Sequence, residues 1–209
     1  SAEDLSIPSN IFKDCNLKYV KLVTSSTLQL NDFCFNSKKI ENIELSFKSI
    51  TAGKNCFTGC SSLSIITLQS EDGFKIFNEF FSGCKSIKKL NIISKSEILI
   101  SDHFMNESPI LDAVEICGRK ISIGSKSFNN CKSLSHFSIK NSGEVMFKED
   151  QFVDCDKLEK IEIHCSIVNI CQNQICNSKS LKHIKIESYS KIFFRSNCFA
   201  GFDNLENVL

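Results

Sequence analysis

Twelve cysteines and four histidines in 209 residues are the side chains here best suited to chemistry. Thiolates act as nucleophiles and soft metal ligands, and imidazole near neutral pH acts as base or ligand. A metal site needs such groups at ligand spacing. Cys56-x₃-Cys60 and Cys171-x₄-Cys176 come nearest. No C-x₂-C pair occurs, and no histidine pair follows at finger spacing. His164 and Cys165 are adjacent, so on a strand they face opposite sides. The reading is therefore no metal and no cofactor. A Cys–His–Asn/Asp site would have to be assembled in space. The histidines, His103, His136, His164 and His183, fall at variable positions, and G-x-S-x-G, G-x-x-x-x-G-K-[ST] and H-E-x-x-H are all missing. The expectation is that the chain is not an enzyme.

Bulk properties narrow the classes further. The formal net charge is +1, which gives no pull toward nucleic acid or an anionic membrane. No run approaches the roughly 18–20 apolar residues of a membrane helix, so no membrane insertion is expected in this segment. Hydrophobic residues at 42% and charged residues at 23% are ordinary for a folded protein. Eighteen Phe against no Trp is not ordinary, and it leads to the repeat. Ser1-Ala2 reads as a tag remnant. A lone N-x-S match, Asn106-Glu107-Ser108, is near chance in a chain of this length.

Aligned on one phenylalanine column, the chain repeats at gaps of 22 to 24 residues: Phe12, Phe35, Phe57, Phe81, Phe104, Phe128, Phe152, then Ile175 or Cys176, then Phe199. Other columns move with it. Three residues on come Cys15, Cys60, Cys84, Cys131 and Cys155, with Phe202 in the last copy. About six residues on come Leu17, Ile40, Leu63, Ile87, Leu111, Leu134, Leu158, Leu181 and Leu205. An alternating pair follows, as in Ile43/Leu45, Leu90/Ile92 and Ile161/Ile163. A second pair precedes the next anchor, as in Leu28/Leu30, Ile98/Ile100, Val168/Ile170 and Ile192/Phe194. The fifth copy is least regular: Glu107 occupies the Cys column and Pro109 follows, so a bulge is expected there, in a loop.

Period two puts both members of each I-x-I pair on one face of a short strand. The F-x-x-C-x-x-L spacing suits a single helical or 3₁₀ turn. A unit this small cannot cover its own apolar face. Stacked in register, neighbours cover it, and the strands form parallel ladders about 4.8 Å apart per rung. Stacked cysteines would then have Cα atoms inside the disulfide window. Their Cβ vectors run parallel, however, which suits the required dihedral poorly. Buried reduced thiols are expected. Neither end shows a polar cap, so the chain reads as a fragment of a longer array, one domain over 1–209, with end-to-end self-association left open.

Two stretches carry a family resemblance: Cys56-Phe57-Thr58-Gly59-Cys60-Ser61-Ser62-Leu63-Ser64-Ile65-Ile66-Thr67-Leu68 and Ser127-Phe128-Asn129-Asn130-Cys131-Lys132-Ser133-Leu134-Ser135-His136-Phe137-Ser138-Ile139. They resemble the A-F-x-x-C-x-x-L-x-x-I-x-I phrase of BspA-like leucine-rich repeats, the Treponema pallidum type. The Asn column of other leucine-rich repeats and the Pro after I-x-I in bacterial copies are missing. The Asn-, Lys-, Ile- and Phe-rich variety resembles versions in protist parasites such as Trichomonas or Entamoeba. The resemblance implies a β-rich solenoid of the α/β leucine-rich repeat class. It would be a right-handed curved array of about 8–9 repeats, each with two short parallel strands and one helical or 3₁₀ turn. It also implies a surface or secreted adhesion protein that binds host matrix, host cells or other microbes. The alternative from another class is a cytoplasmic scaffold for protein–protein interaction, toward which the abundance of thiols leans.

The residues between the first I-x-I pairs must point outward. Tyr19, Lys21, Asn42, Glu44, Thr67, Lys89, Asn91, Glu115, His136, Ser138, Lys160, Glu162, His183 and Lys185 form the expected protein-binding face. Past each pair come Ser46, Gln69, Ile93, Cys117, Lys140, His164 and Glu187. Tyr19 alone among these is an aromatic of the kind that anchors interfaces.

Overall fold

The computed structural model describes residues 3–53, 55–76, 80–81, 84–170, 180–195, 198–199 and 202–208. Fifteen strands are described. One ladder contains β2 (Tyr19–Val23), β4 (Asn42–Phe47), β6 (Ile65–Ser70), β8 (Lys89–Ser94), β10 (Ala113–Cys117), β12 (His136–Phe147), β13 (Lys160–Ile170), β14 (His183–Phe194) and β15 (Asn207–Val208), adjacent in that order. The second ladder contains β1 (Leu5–Ile7), β3 (Thr27–Leu30) and β5 (Ser49–Ala52), and separately β7 (Phe74–Ile76), β9 (Glu97–Ile100) and β11 (Lys120–Ile123), the last pairing with the far half of β12. Each rung is parallel and in register: Val20 meets Ile43, Ile43 meets Ile66 and Ile66 meets Leu90. The chain is thus a parallel β-solenoid of about eight turns of about 23 residues.

The strands form where β-branched residues alternate with polar ones. In β6 and β8 every second residue is buried. The hydrophobic anchors line up as expected. Phe35 stacks on Phe12 at 5.1 Å and on Phe57 at 4.7 Å, with interplanar angles of 10° and 3°. The file continues through Phe81, Phe104, Phe128 and Phe152 at centroid distances of 5.0 to 6.5 Å. Phe80, beside the anchor, is also buried and lies 4.9 Å from Phe57. Full burial of each ring contributes roughly 1.5–3 kcal/mol, and each good ring pair roughly 0.5–1.5 more. The eighth anchor, Ile175 or Cys176, lies outside the described residues.

The arc between ladders corrects one expectation. No helix is found among the described residues. The F-x-x-C-x-x-L stretch is two consecutive tight turns. The Cys60 amide donates to the Phe57 carbonyl and the Leu63 amide to the Cys60 carbonyl. The same pair recurs in the copy from Phe152 to Leu158. Left-handed residues such as Asn55, Asn130 and Asp154 interrupt any helical path. The deciding factor is where the amides go. His103, Met105 and Glu107 donate to the carbonyls of Ser125, Ser127 and Asn129 one turn on, so these groups are spent between turns and not along the chain.

Column cysteines complete this bonding. The thiols of Cys84 and Cys155 donate to the carbonyls of Phe57 and Phe128 one turn back, at 3.0 and 3.1 Å. Cys131 does the same to Met105 at 3.3 Å. Among the described residues no disulfide is formed by the ten cysteines present. The irregular fifth copy keeps its extra residue in the loop: Glu107 adopts a φ of 61° while Leu111 stays buried. Register shifts occur elsewhere, where β12 and β13 differ by a residue between Ile139 and Ser142, and β13 and β14 between Cys165 and Ile167.

Candidate functional site: the outward face of the first ladder

Because side chains alternate along each strand, the residues flanking each buried pair form rows running across the turns. One row is Tyr19, Asn42, Ile65, Lys89, Ala113, His136, Lys160, His183 and Asn207. The next is Lys21, Glu44, Thr67, Asn91, Glu115, Ser138, Glu162 and Lys185. All fourteen positions singled out in the sequence lie in these two rows.

Both flanks of the face are knit by charge. At the first turns Glu44 accepts from Lys21 Nζ at 2.7 Å and from the Tyr19 hydroxyl at 2.8 Å. The Lys21 hydrogen bond, then that of Tyr19, holds the Glu44 carboxyl below its ordinary range. The same contact holds Lys21 above its own. At the later turns Lys160 pairs with Glu162 at 2.6 Å, and Glu187 accepts from both Lys185 and His164. The Lys160 hydrogen bond lowers Glu162, and the Lys185 hydrogen bond lowers Glu187. Between these flanks Lys140 Nζ donates to Glu115 at 2.6 Å and is raised by it.

The centre is open. A depression of about 760 Å³ is lined by Lys89, Asn91, Asp112, Ala113, Glu115, His136, Ser138, Lys140, Lys160 and Glu162, with core residues at its floor. A second of about 360 Å³ adjoins it through Asn91, Glu115 and Lys140, and adds Thr67, Ile93 and Cys117. Seven of the fourteen expected residues line the larger one. Tyr19, Lys21, Asn42 and Glu44 sit on one flank, His183 and Lys185 on the other. Asp112 and Ser135 were not among the fourteen. They belong to the position just before the strand, where Lys18, Glu41, Ser64, Lys88, Glu159 and Lys182 also fall. That position carries repeated charge, as in the Lys18–Glu41 pair at 3.1 Å and Lys182–Glu159 at 3.3 Å. This recurrence was the available signal.

Asp112, Ser135 and His136 touch in a chain. Ser135 Oγ lies 2.5 Å from Asp112 Oδ1 and 2.8 Å from His136 Nδ1. The order is not that of a hydrolytic triad, where imidazole stands between hydroxyl and carboxylate. Here the Ser135 hydroxyl donates to Asp112 and also lies against His136 Nδ1. The chain fixes the imidazole instead. Among the described residues no group of three or more His, Cys, Asp or Glu side chains could hold a metal ion. Among the described residues no helix is long and apolar enough to cross a membrane.

The geometry is that of a repeat array with an open face, and the sequence profile of one family fits it. The BspA type leucine-rich repeat region matches residues 3–111 and 102–209, in six copies. The chain belongs to the BspA-type leucine-rich repeats. Comparison with curated proteins and with solved structures gives no match. A BspA-type solenoid of this kind is a repeat-based protein-interaction module. Its turns share an interior and differ on the outside.

Proposed function

We propose that this chain is a non-enzymatic binding module that takes a protein partner along the outward rows of its first ladder, from Tyr19 and Lys21 to His183 and Lys185. The observation that carries the reading is the central depression. Asn91, Ala113 and Ser138 lie there among the charged Lys89, Asp112, Glu115, Lys140, Lys160 and Glu162, and the adjoining depression adds Thr67 and Ile93, the latter 38% exposed. Partly apolar ground with a polar rim is how protein interfaces are built. The family resemblance supports a partner on a host cell, in host matrix or on another microbe, and a place at the cell surface or outside the cell. The test is capture from host-cell-surface and matrix extracts by this chain and by a variant with Glu44, Glu115, Glu162 and Lys185 changed to Ala. Capture lost in the variant supports the face, and equal capture by both rules it out.

A second reading has its own observation. Cys117 is half-buried on the open face, beside Lys140 on the neighbouring strand, and a thiol there is exposed to oxidation outside the cell. This favours an intracellular scaffold that uses the same face. Fractionation of the source cells separates the two: antibody access to intact cells supports adhesion, and access only after lysis supports the scaffold.

A further inference from the structure

Among the described residues of the outward rows, every lysine but one holds a carboxylate. Among the described residues, Lys21, Lys140, Lys160 and Lys185 each hold a carboxylate on this face. Lys89 holds none. Its neighbours in the row are Ile65 and Ala113, and neither offers a countercharge. Ala113 is the smallest side chain in its row, and His136 stands one rung beyond it. Two rungs of about 4.8 Å leave roughly 10 Å between the Lys89 and His136 strands, with only a methyl group between them. His136 is held in place by Ser135, which is held by Asp112, so the imidazole is ordered before any ligand arrives.

We infer that the notch over Ala113, between Lys89 and His136, receives an acidic side chain of the protein partner. The inference rests on the ladder-face reading and names the partner's chemistry there. The carboxylate accepts from the Lys89 ammonium, and the ordered His136 ring forms the far wall of the notch. A charge-assisted contact of this kind is stronger than a neutral one. Of the three carboxylates at the centre of the face, Glu115 and Glu162 are occupied by Lys140 and Lys160, and Asp112 is held by the Ser135 hydroxyl. Exposed Ile65, beside Lys89, offers apolar contact to a residue flanking the acid. A glutamine in place of the acid keeps the shape and loses the charge, so the notch selects between them.

The probes are two blocked peptides, acetyl-Ile-Glu-Ile-amide and acetyl-Ile-Gln-Ile-amide, titrated into the 209-residue chain and followed by NMR at the Ala113 methyl and the His136 ring. The glutamate peptide is expected to bind at least about threefold more tightly and to shift both signals. Lys89→Ala removes that preference, and so does Ala113→Leu, which fills the notch. Lys13→Ala, an equal change in net charge on the exposed arc, leaves it intact. Equal binding of the two peptides overturns the inference. So does a preference that survives Lys89→Ala, one that falls equally in Lys13→Ala, or silence at Ala113 from both peptides. Partner capture that still depends on the ladder face, together with any of these results, leaves the face standing and removes only the notch.

Discussion

The two sides of the first ladder are made by the same strands and obey opposite rules. Facing in, position after position repeats one chemistry: Ile43, Ile66, Leu90, Val114, Phe137, Ile161 and Ile184 form one row, each at most 2% exposed. Facing out, the row beside it runs through tyrosine, asparagine, isoleucine, lysine, alanine, histidine and lysine. The inner row must be uniform because each turn is sealed only by its neighbours, so a change in one turn is felt in two others. The outer row has no such coupling beyond cross-strand pairs worth a few tenths of a kcal/mol to about 1. A solenoid therefore separates a uniform, sealed side from a variable one by the direction of a side chain. Substitutions on the two sides should differ in magnitude accordingly.

The largest effect is expected from Phe57→Ala. Phe57 is fully buried, stacked on Phe35 and packed against both Phe80 and Phe81. Removing the ring deletes contacts in the turns on either side, for a loss of about 3–5 kcal/mol. Urea titration followed by circular dichroism measures it. A loss under about 1 kcal/mol would mean that neighbouring turns close over the gap, and the inner row would be far less coupled than described.

Gly73→Ala comes next. Gly73 sits at a φ of 87°, in the interval between β5 and β7 where the second ladder is interrupted. An added Cβ would collide with the backbone of Glu97 one turn away. Left-handed strain and this collision together should lower stability by about 1–3 kcal/mol. The nearby Ser70→Ala tests the same corner more gently. Its hydroxyl donates to the Lys48 carbonyl at 2.9 Å and accepts the Gly73 amide at 3.1 Å. About 1–2 kcal/mol is expected for a satisfied buried hydroxyl. Equal stability of wild type and Gly73→Ala by urea titration would show that the corner is slack.

The inner rows were legible in the sequence because period two is a direct consequence of strand geometry, and nothing else produces eight I-x-I pairs in step along the first ladder. For the same reason the outer rows could be placed residue by residue. The arc was misread. Spacing of i, i+3 and i+6 fits one helical turn and two consecutive β-turns equally well. What distinguishes them is whether the Met105 amide bonds within its own turn or to Ser127 in the next, and no local pattern records that choice. The centre of the site was only partly legible. Glu115 and Ser138 followed from alternation, but Asp112 and Ser135 precede the strand, where alternation does not reach. The pairing of Lys140 with Glu115 depends on one lysine crossing a rung, which sequence spacing leaves open among several carboxylates.

Thiol chemistry gives a middle-sized contrast between the two sides. Cys165 points inward and is fully buried, and burial pushes its thiol up to about 11. Cys117 is half-buried on the outward face. Only thiolate reacts with disulfide reagents, so at pH 8 Cys165 is slow on two counts, access and charge. Labelling with a chromogenic disulfide, read by peptide mass spectrometry, should modify Cys117 at least about tenfold faster than Cys165. Urea should erase the difference. Equal rates in the native protein would place Cys165 in contact with solvent and break the inward assignment of β13.

The smallest effect tests the outer side alone. Glu44 is held below its ordinary range by Lys21 and then by Tyr19, so its folded form favours the carboxylate. A group whose folded pKa is depressed adds stability above its unfolded pKa and loses it as pH falls through the folded one. The Glu44 contribution is therefore present at neutral pH and disappears on the acid side, below the ordinary carboxylate range. Its side chain is 35% exposed and that of Lys21 is 49% exposed, so solvent screens the pair. At neutral pH, Glu44→Gln should cost only about 0.2–1 kcal/mol, and less in high salt. Near pH 2 wild type and variant should unfold at the same urea concentration. Should the variant remain less stable there by as much as at pH 7, the charge is not what links these first two turns.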